Sequence, residues 1–221
     1  MNSGDFVYVD FVGRVKDTGE VFDSTNEELA KKEKIYNPKA KYVPIPIIID
    51  AGFVLQALDD TLKEMKVGEK KTVELLPEKA FGERRIDYIR LLPLSVFKQQ
   101  NINPTPGNFV TMDKLQGKVI SIDGGRVKID FNHPLAGKTL EYEIEIKGEI
   151  KDLTEKIKSI IKYYTGIEAA EVEISVKGKE AEITFKKRID LATSAKQTIA
   201  DTITKWINEI NIIKFVDVFT K

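Results

Sequence analysis

A strictly alternating segment after residue 139 constrains the fold of this chain more than any other feature. Apolar side chains occupy every second position from residue 140 to 146, and charged side chains occupy the positions between them and residue 147. A period of two residues is typical of an antiparallel strand with one buried and one solvated face. Such a strand needs partners, and the best candidates lie before residue 83. The sequence therefore predicts that residues 84–130 are inserted into a larger domain formed by residues 1–83 and 131–150.

The segment before residue 83 contains the elements of that larger domain. Residues 6–15 alternate, and a turn sequence over 16–19 precedes Val21-Phe22-Asp23, which predicts a β-hairpin. The pair Thr25-x-x-Glu28 predicts a capping box at the start of a short helix that runs to about Lys34. Apolar residues at 54, 55, 58, 62 and 65 share one face of a second helix, which ends before Gly68.

Turn residues divide the inserted segment into short strands. Residues 103–107 read Asn-Pro-Thr-Pro-Gly, a dense turn cluster, and Asp123-Gly124-Gly125 predicts a tight turn between two strands. We therefore expect a small, mainly β domain over residues 84–130.

The period of the apolar residues changes again after residue 150. An amphipathic helix is predicted from Leu153 to Tyr164, followed by a hairpin around Gly178, a helix capped by Ser194 and a final strand from 212 to 219. The order αββαβ predicts a separate C-terminal α+β domain over residues 151–221. A domain of this size gains from burial against a partner, so we expect a homodimer through it.

Composition excludes many kinds of chemistry. The 221 residues include no cysteine and one histidine, so thiol nucleophiles, disulfides, zinc-thiolate sites and clusters of histidine ligands are ruled out. We expect no cofactor and no metal. His133 precedes Pro134 and is interpreted as a turn residue, and the acidic pairs Glu27-Glu28 and Asp59-Asp60 are interpreted as solvated helix faces.

Net charge and hydropathy bear on partners and location. The net charge is −6 in the larger predicted domain, +4 in the insert and +2 in the C-terminal segment. None of these segments is basic enough to indicate a nucleic-acid binder, and no apolar run approaches the length of a membrane span. The first residues lack the basic start and the continuous apolar stretch that are typical of a signal peptide, so we expect a cytoplasmic protein.

What remains is a group of apolar and aromatic residues around one acid. Taken alone, this pattern also describes an ordinary hydrophobic core. The group consists of Phe11, Phe22, Asp23, Val54, Leu55, Leu58, Phe81 and Tyr142.

The order of these residues resembles the FKBP family of peptidyl-prolyl cis-trans isomerases. The motifs are Asp10-Phe11-Val12-Gly13, Gly19-Glu20-Val21-Phe22-Asp23-Ser24-Thr25, Val54-Leu55-x-x-Leu58 with Val67-Gly68-Glu69, Pro77-Glu78-x-Ala80-Phe81-Gly82, and Asn132-His133-Pro134-Leu135-Ala136-Gly137. The last motif is similar to the SlyD-type subgroup, in which a chaperone domain is inserted into the flap, and the extension beyond residue 150 resembles archaeal long-type members.

The resemblance implies an α+β fold, in which an antiparallel sheet wraps a short helix and a prolyl pocket lies between them. It implies catalytic roles for Phe22, Asp23, Leu55, Phe81 and Tyr142, with the Leu55 amide holding a substrate carbonyl. Substrate-binding positions are Phe11, Ile45, Ile47, Val54 and Leu58. Phenylalanine replaces the family's frequent tyrosine at 11 and 81, and the missing hydroxyl at 81 argues against macrolide binding.

The implied function is isomerisation of X-Pro bonds in unfolded proteins, combined with chaperone activity of the insert. Apolar residues of the insert are the candidates for holding extended client segments. Alternatively, these residues form the small hydrophobic core of the insert itself. These candidates are Phe97, Phe109, Val110, Met112 and Leu115. The alternatives are a non-catalytic holdase on the same scaffold and a ribosome-associated or RNA-linked protein that uses the positive insert.

Overall fold

The computed structural model describes residues 1–112, 114–187 and 189–218 of the chain. They form two compact units. Unit 1 comprises Met1–Gly13, Val21–Val73 and Tyr142–Lys221, and unit 2 comprises Arg14–Glu20 and Glu74–Glu141. These units divide the chain at other places than the three predicted domains, and the three-domain division stays a prediction.

The described residues contain twelve strands and five α-helices, joined by turns and loops. The strands are β1 (Phe6–Val15), β2 (Val21–Ser24), β3 (Ile45–Ile48), β4 (Lys70–Leu75), β5 (Ile89–Pro93), β6 (Phe109–Met112), β7 (Leu115–Asp123), β8 (Arg126–Asp130), β9 (Leu140–Glu149), β10 (Val172–Lys177), β11 (Glu180–Phe185) and β12 (Ile212–Val216). The helices are α1 (Glu27–Lys32), α2 (Gln56–Glu64), α3 (Leu94–Gln99), α4 (Leu153–Thr165) and α5 (Thr193–Trp206). None of the described helices is long and apolar enough to cross a lipid bilayer. The fold is mixed α and β with mostly antiparallel sheets, as an FKBP-type fold requires.

A five-stranded sheet carries the predicted alternating strand, β9, at its centre. The order is β2-β1-β9-β4, and β3 also pairs with β1, in antiparallel register from Phe6 opposite Ile48 to Val9 opposite Ile45. Every second residue of β9 from Leu140 to Ile146 is buried, which confirms the predicted two-faced strand. On α2, Leu58 and Leu62 are buried because they share one helix face, four residues apart.

Unit 2 contains a separate four-stranded antiparallel sheet with the order β5-β8-β7-β6. The predicted tight turn between β7 and β8 is confirmed, since Gly124 and Gly125 adopt φ values of 53° and 72°, which glycine reaches without a Cβ penalty. One face of the sheet packs on Phe97 of α3, which is fully buried. Its core consists of Phe97, Val110, Met112, Val119, Val127 and Ile129.

The C-terminal segment folds in the order α4, β10, β11, α5, β12. Its hairpin turns at Gly178, and β12 pairs with β11 in parallel, which the crossover through α5 permits. Asp152 caps α4 by accepting a hydrogen bond from the Glu155 amide at 2.9 Å. The predicted strand end at Phe219 lies outside the described residues.

The core of the C-terminal segment is continuous with the first strand of the chain. Phe6 of β1 and Ile48 of β3 are fully buried in the same cluster as the inward residues of α4, β11 and α5. Residues 151–218 therefore belong to unit 1, and Phe6 and Ile48 complete the core that their helices and strands form.

The predicted helix starts of α1 and α5 are wrong by one or two residues. The N-cap of α1 is Asn26, whose side chain accepts from the Leu29 amide at 3.0 Å. Thr25 is unavailable as a cap because its hydroxyl accepts a hydrogen bond from the Phe11 amide of β1. The N-cap of α5 is Ala192 in place of Ser194, and no side chain caps it.

Candidate functional site

A small cavity of about 170 Å³ in unit 1 lies between α2 and the sheet strands β1, β3 and β9. Pockets for drug-sized ligands have volumes of roughly 300–1,000 Å³, so this cavity fits a single side chain. Most of its lining side chains are apolar, and one lining side chain carries a carboxylate. The lining residues are Val9, Phe11, Asp23, Ile45, Ile47, Val54, Leu55, Leu58, Leu62, Tyr142 and Ile144.

Regular periodicity brings most of this wall together. Alternate residues of β1 and β9 point to the same side of the sheet, and residues four apart on α2 share the helix face that points toward it. The structure thus gathers eight of the predicted residues around one cavity. It adds Val9, Leu62 and Ile144, which sequence reasoning missed although each lies two or four residues from a predicted wall residue in the same element.

The carboxylate of Asp23 stands at the mouth of the cavity. Asp23 is exposed to solvent, and its Oδ1 accepts a hydrogen bond from the Ser24 amide at 2.9 Å. Partial desolvation by the surrounding side chains raises the pKa of Asp23, and the Ser24 hydrogen bond offsets part of this rise. The site therefore holds one weakly solvated negative charge beside apolar walls.

The backbone amide of Leu55 is a free donor in the wall. Leu55 is the N-cap of α2, and its carbonyl accepts from the amides of Leu58 and Asp59 at 2.8 and 3.1 Å. Its own N–H has no acceptor among the residues that the structure describes. The first amides of a helix have no partner within the helix, so this donor is available to a ligand.

Phe22 contacts Tyr142, one of the residues that line the cavity. Its ring meets the Tyr142 ring edge-on, with centroids 5.6 Å apart and an interplanar angle of 81°. Phe22 is absent from the residues that line the cavity. The structure shows the contact of Phe22 with Tyr142, and the catalytic role of Phe22 stays a prediction.

Gly13 makes room for both rings. A Cβ built on Gly13 would lie 2.6 Å from Phe22 Cζ and 3.1 Å from Tyr142 Cε1. Sequence reasoning treated Gly13 only as part of a motif. A glycine inside a strand was the available signal, since it often marks a close approach of another group to the backbone.

Phe81 belongs to unit 2 and stacks on His133. Their ring centroids are 4.1 Å apart with an interplanar angle of 6°. His133 Nδ1 accepts a hydrogen bond from the Leu135 amide at 3.2 Å, and its carbonyl accepts from Ala136, so this histidine is a turn residue as predicted. The catalytic role of Phe81 stays a prediction.

The five candidates in the insert divide into two groups. Phe97 of α3 and Val110 and Met112 of β6 are buried together in the core of unit 2. As folded, these three side chains pack inward and offer no surface to a client. Phe109 and Leu115 are about half exposed.

The acidic pairs differ from each other in exposure. Glu27 and Glu28 are solvated, as predicted, but Asp59 is fully buried, which corrects the interpretation of Asp59 as a surface residue. The chain after β3 folds over the first turn of α2 and covers Asp59. Among the described residues, no three His, Cys, Asp or Glu side chains are grouped so that they could hold a metal ion.

The stability of the protein is expected to fall at alkaline pH through Tyr142. Burial, and then the Asp23 charge, raise the pKa of Tyr142 to about 12. Tyrosine in an unfolded chain has a pKa of about 10, so the free energy of unfolding should decrease between about pH 10 and pH 12, by up to ~2–3 kcal/mol. Urea unfolding on both sides of this window, for the protein and for Tyr142→Phe, measures the effect. An equal loss in both proteins would exclude Tyr142 as its source.

Family models match two parts of the chain. The model described as "FKBP26, IF domain" matches residues 90–135, and the model described as "FKBP26_C-terminal" matches residues 153–220. The first match covers the four-stranded sheet of unit 2, and the second covers the segment from α4 to β12.

Several curated proteins have similar sequences. The chain is 35% identical over 147 residues to a short-type peptidyl-prolyl cis-trans isomerase of Methanocaldococcus jannaschii, an alignment that spans 66% of this chain and 92% of that protein. It is 37% identical over 108 residues to a probable FKBP-type 16 kDa peptidyl-prolyl cis-trans isomerase of Pseudomonas fluorescens, spanning 47% and 71% of the two chains. A SlyD isomerase of Helicobacter pylori is 27% identical over 117 residues, which cover 48% of this chain and 58% of that protein.

Proposed function

Because the chain belongs to the FKBP-type peptidyl-prolyl cis-trans isomerases, we propose that the 170 Å³ cavity of unit 1 is the site at which it rotates X-Pro bonds. The single observation that carries this proposal is the convergence of eight predicted residues, among them the acid Asp23 and Leu55 with its free amide, on a cavity the size of a single side chain. The reaction acts on proline-containing polypeptides.

The chemistry needs no nucleophile. Amide resonance gives an X-Pro bond a rotation barrier of about 18–20 kcal/mol. A dry pocket around the proline ring removes water from the planar, polar amide. Removing water destabilises the polar planar ground state more than the less polar twisted transition state, so the rotation barrier falls. Walls such as Ile47, Leu58 and Tyr142, each buried, provide this dry environment.

Two polar groups orient the substrate in this scheme. The Leu55 amide, which has no acceptor among the described residues, donates to a substrate carbonyl. The Asp23 carboxylate at the mouth interacts either with the twisted amide or with a backbone N–H near the proline. Its position beside Tyr142 is supported by the effect of its charge on the Tyr142 pKa.

We further propose that unit 2 holds extended client segments on the solvent face of its sheet. Leu91, Phe109 and Ile120 are exposed there, and we call them the exposed apolar face. Strand register places Leu91 opposite Lys128 and Phe109 opposite Lys118, so lysines separate the apolar groups. The edge strands β5 and β6 offer backbone groups to an added strand.

A crossed experiment tests both proposals. Asp23→Ala is expected to lower turnover of an X-Pro tetrapeptide and catalysed refolding of a proline-limited protein, each by about tenfold, because a charged hydrogen-bonding partner is lost. The double variant Leu91→Ser/Phe109→Ser should leave tetrapeptide turnover within about twofold and slow the refolding reaction by about tenfold, because local client concentration falls.

Val67→Ser is the matched control for the exposed apolar face, since Val67 is as exposed as Phe109, at 49%, but belongs to unit 1. Equal losses on both substrates in the Leu91/Phe109 variant would contradict the holding role. A protein that binds unfolded chains but never turns over the tetrapeptide would instead be a holdase.

A homodimer through residues 151–221 and a cytoplasmic location remain predictions. The dimer is supported by Ile212 and Val218, which are exposed along and just beyond β12, an edge strand of the three-stranded sheet. Sedimentation of the protein and of Ile212→Lys over a dilution series tests it, and a monomer at every concentration would contradict it.

A further inference from the structure

The rim of the proposed pocket is a loop with an unusual backbone. It follows β3, comprises residues 50–55, and ends in the wall residues Val54 and Leu55; we call it the rim loop. Asp50 has φ 67° and Gly52 has φ 73°. A left-handed conformation at a residue other than glycine is uncommon and persists where neighbouring groups hold it.

Helix α2 holds the rim loop from one side. The Asp59 carboxylate, fully buried, accepts a hydrogen bond from the Asp50 amide at 3.3 Å through Oδ1. Lys63 of the same helix forms an ion pair with the Asp50 carboxylate. These contacts fix the first residue of the loop, and a backbone hydrogen bond from Gly52 to the Asp59 carboxylate also ties the middle of the loop to α2.

Helix α4 of the C-terminal segment holds the loop from the other side. The Phe53 ring stacks on Tyr163, with centroids 3.7 Å apart and an interplanar angle of 7°. Tyr164 meets Phe53 edge-on at 6.3 Å and meets Tyr163 edge-on at 5.1 Å. The Tyr164 hydroxyl is 3.0 Å from Thr202 Oγ1 of α5, which fixes the second tyrosine in turn.

We propose that Phe53 and Tyr163 are positioning residues for prolyl isomerisation, through which the C-terminal segment holds the rim loop in its active conformation. This inference rests on the proposed prolyl pocket. Phe53 directly precedes Val54 and Leu55, so a shift of its ring moves the free Leu55 amide. A misplacement of about 1 Å in a reacting group can cost about 100-fold in rate.

The exposure of Tyr163 favours this role over a purely structural one. The side chain is 45% exposed, and Tyr163 is not part of the buried cluster that α4 forms with α5 and β11. Truncating a half-exposed side chain outside the core removes little buried area. The main loss in such a variant is therefore the contact with Phe53.

The experiment compares Tyr163→Ala, Phe53→Ala, the double variant and Tyr163→Phe in the full chain, with kcat and KM measured on an X-Pro tetrapeptide. Each alanine variant should lower kcat/KM by about three- to tenfold, the range of a ring stack. The double variant should have a kcat/KM no lower than that of the less active single variant, because each single variant already removes the Phe53–Tyr163 stack. Tyr163→Phe keeps the stack and should stay within about twofold of the parent.

Unchanged kcat/KM in Tyr163→Ala would overturn the inference, as would losses that multiply in the double variant or an equal loss in Tyr163→Phe. Urea midpoints are measured for all variants. If Tyr163→Ala is unfolded at the assay temperature, Tyr163→Leu takes its place, because leucine keeps apolar cover without a ring. Leu55→Pro is assayed in parallel: full activity there would remove the pocket assignment itself, whereas loss there with none in Tyr163→Ala would remove only the positioning role.

Discussion

Leu55→Pro is expected to lower kcat/KM for an X-Pro tetrapeptide by about 100-fold, the effect of removing one pre-positioned donor. The substitution deletes the backbone N–H that is proposed to donate to a substrate carbonyl. Leu55 has φ −57°, a value that proline adopts without strain, and its amide has no acceptor among the described residues. The folded state therefore loses no backbone hydrogen bond, and the urea midpoint should change little.

Leu55→Ala is the matched control for the amide. Alanine keeps the N–H and truncates the apolar wall, so kcat/KM should fall by only about three- to tenfold through lost contact with the proline ring. If the proline and alanine variants lose activity equally, the amide does not bind substrate. If neither loses activity, the pocket lies elsewhere.

Gly13→Ala is expected to produce the second large loss, in stability as well as in activity. The new methyl group would meet Phe22 Cζ at 2.6 Å and Tyr142 Cε1 at 3.1 Å, so the two rings must shift. Overpacking of this kind costs about 1–3 kcal/mol. Because Tyr142 forms a wall of the cavity, kcat/KM should fall by about tenfold or more in protein that is still folded.

Two further variants separate the clash from a general effect of alanine. Gly148→Ala makes the same change in β9, where a Cβ would meet nothing within 4 Å, and should be neutral. Gly13→Ala/Phe22→Leu removes the ring atoms that are nearest the new methyl group and should recover part of the lost stability. A Gly13→Ala protein with the parent midpoint and activity would contradict the ring arrangement.

Much of the fold could be predicted from local patterns. The alternation in β9 and the glycine pair between β7 and β8 report backbone geometry directly, and the structure confirms both. The N-cap of α1 was misplaced because the Thr25 hydroxyl is engaged by β1, fourteen residues earlier. A local motif contains no information about such a distant partner.

The sequence predicted which residues form the candidate site better than it predicted what each of them does. Five of the eight predicted wall residues lie in the motifs, and the other three, Ile45, Ile47 and Tyr142, come from the wider family resemblance. The sequence could not show that Tyr142 lines the cavity while Phe22 contacts the Tyr142 ring, because this depends on how β2 and β9 lie in the sheet. Asp59 was misassigned because its helix position alone does not reveal the loop that covers it.

The sequence by itself determined the periods of the strands and helices, the family, and the absence of thiol chemistry, because each of these depends on residue type and spacing alone. The tertiary structure decided which residues that are distant in the sequence pack against each other. It placed Phe6 and Ile48 in the core of the C-terminal segment, and it stacked Phe53 on Tyr163, residues 110 positions apart in the chain. Such contacts depend on how complete elements pack together, and packing is a property of three-dimensional shape that no local pattern specifies.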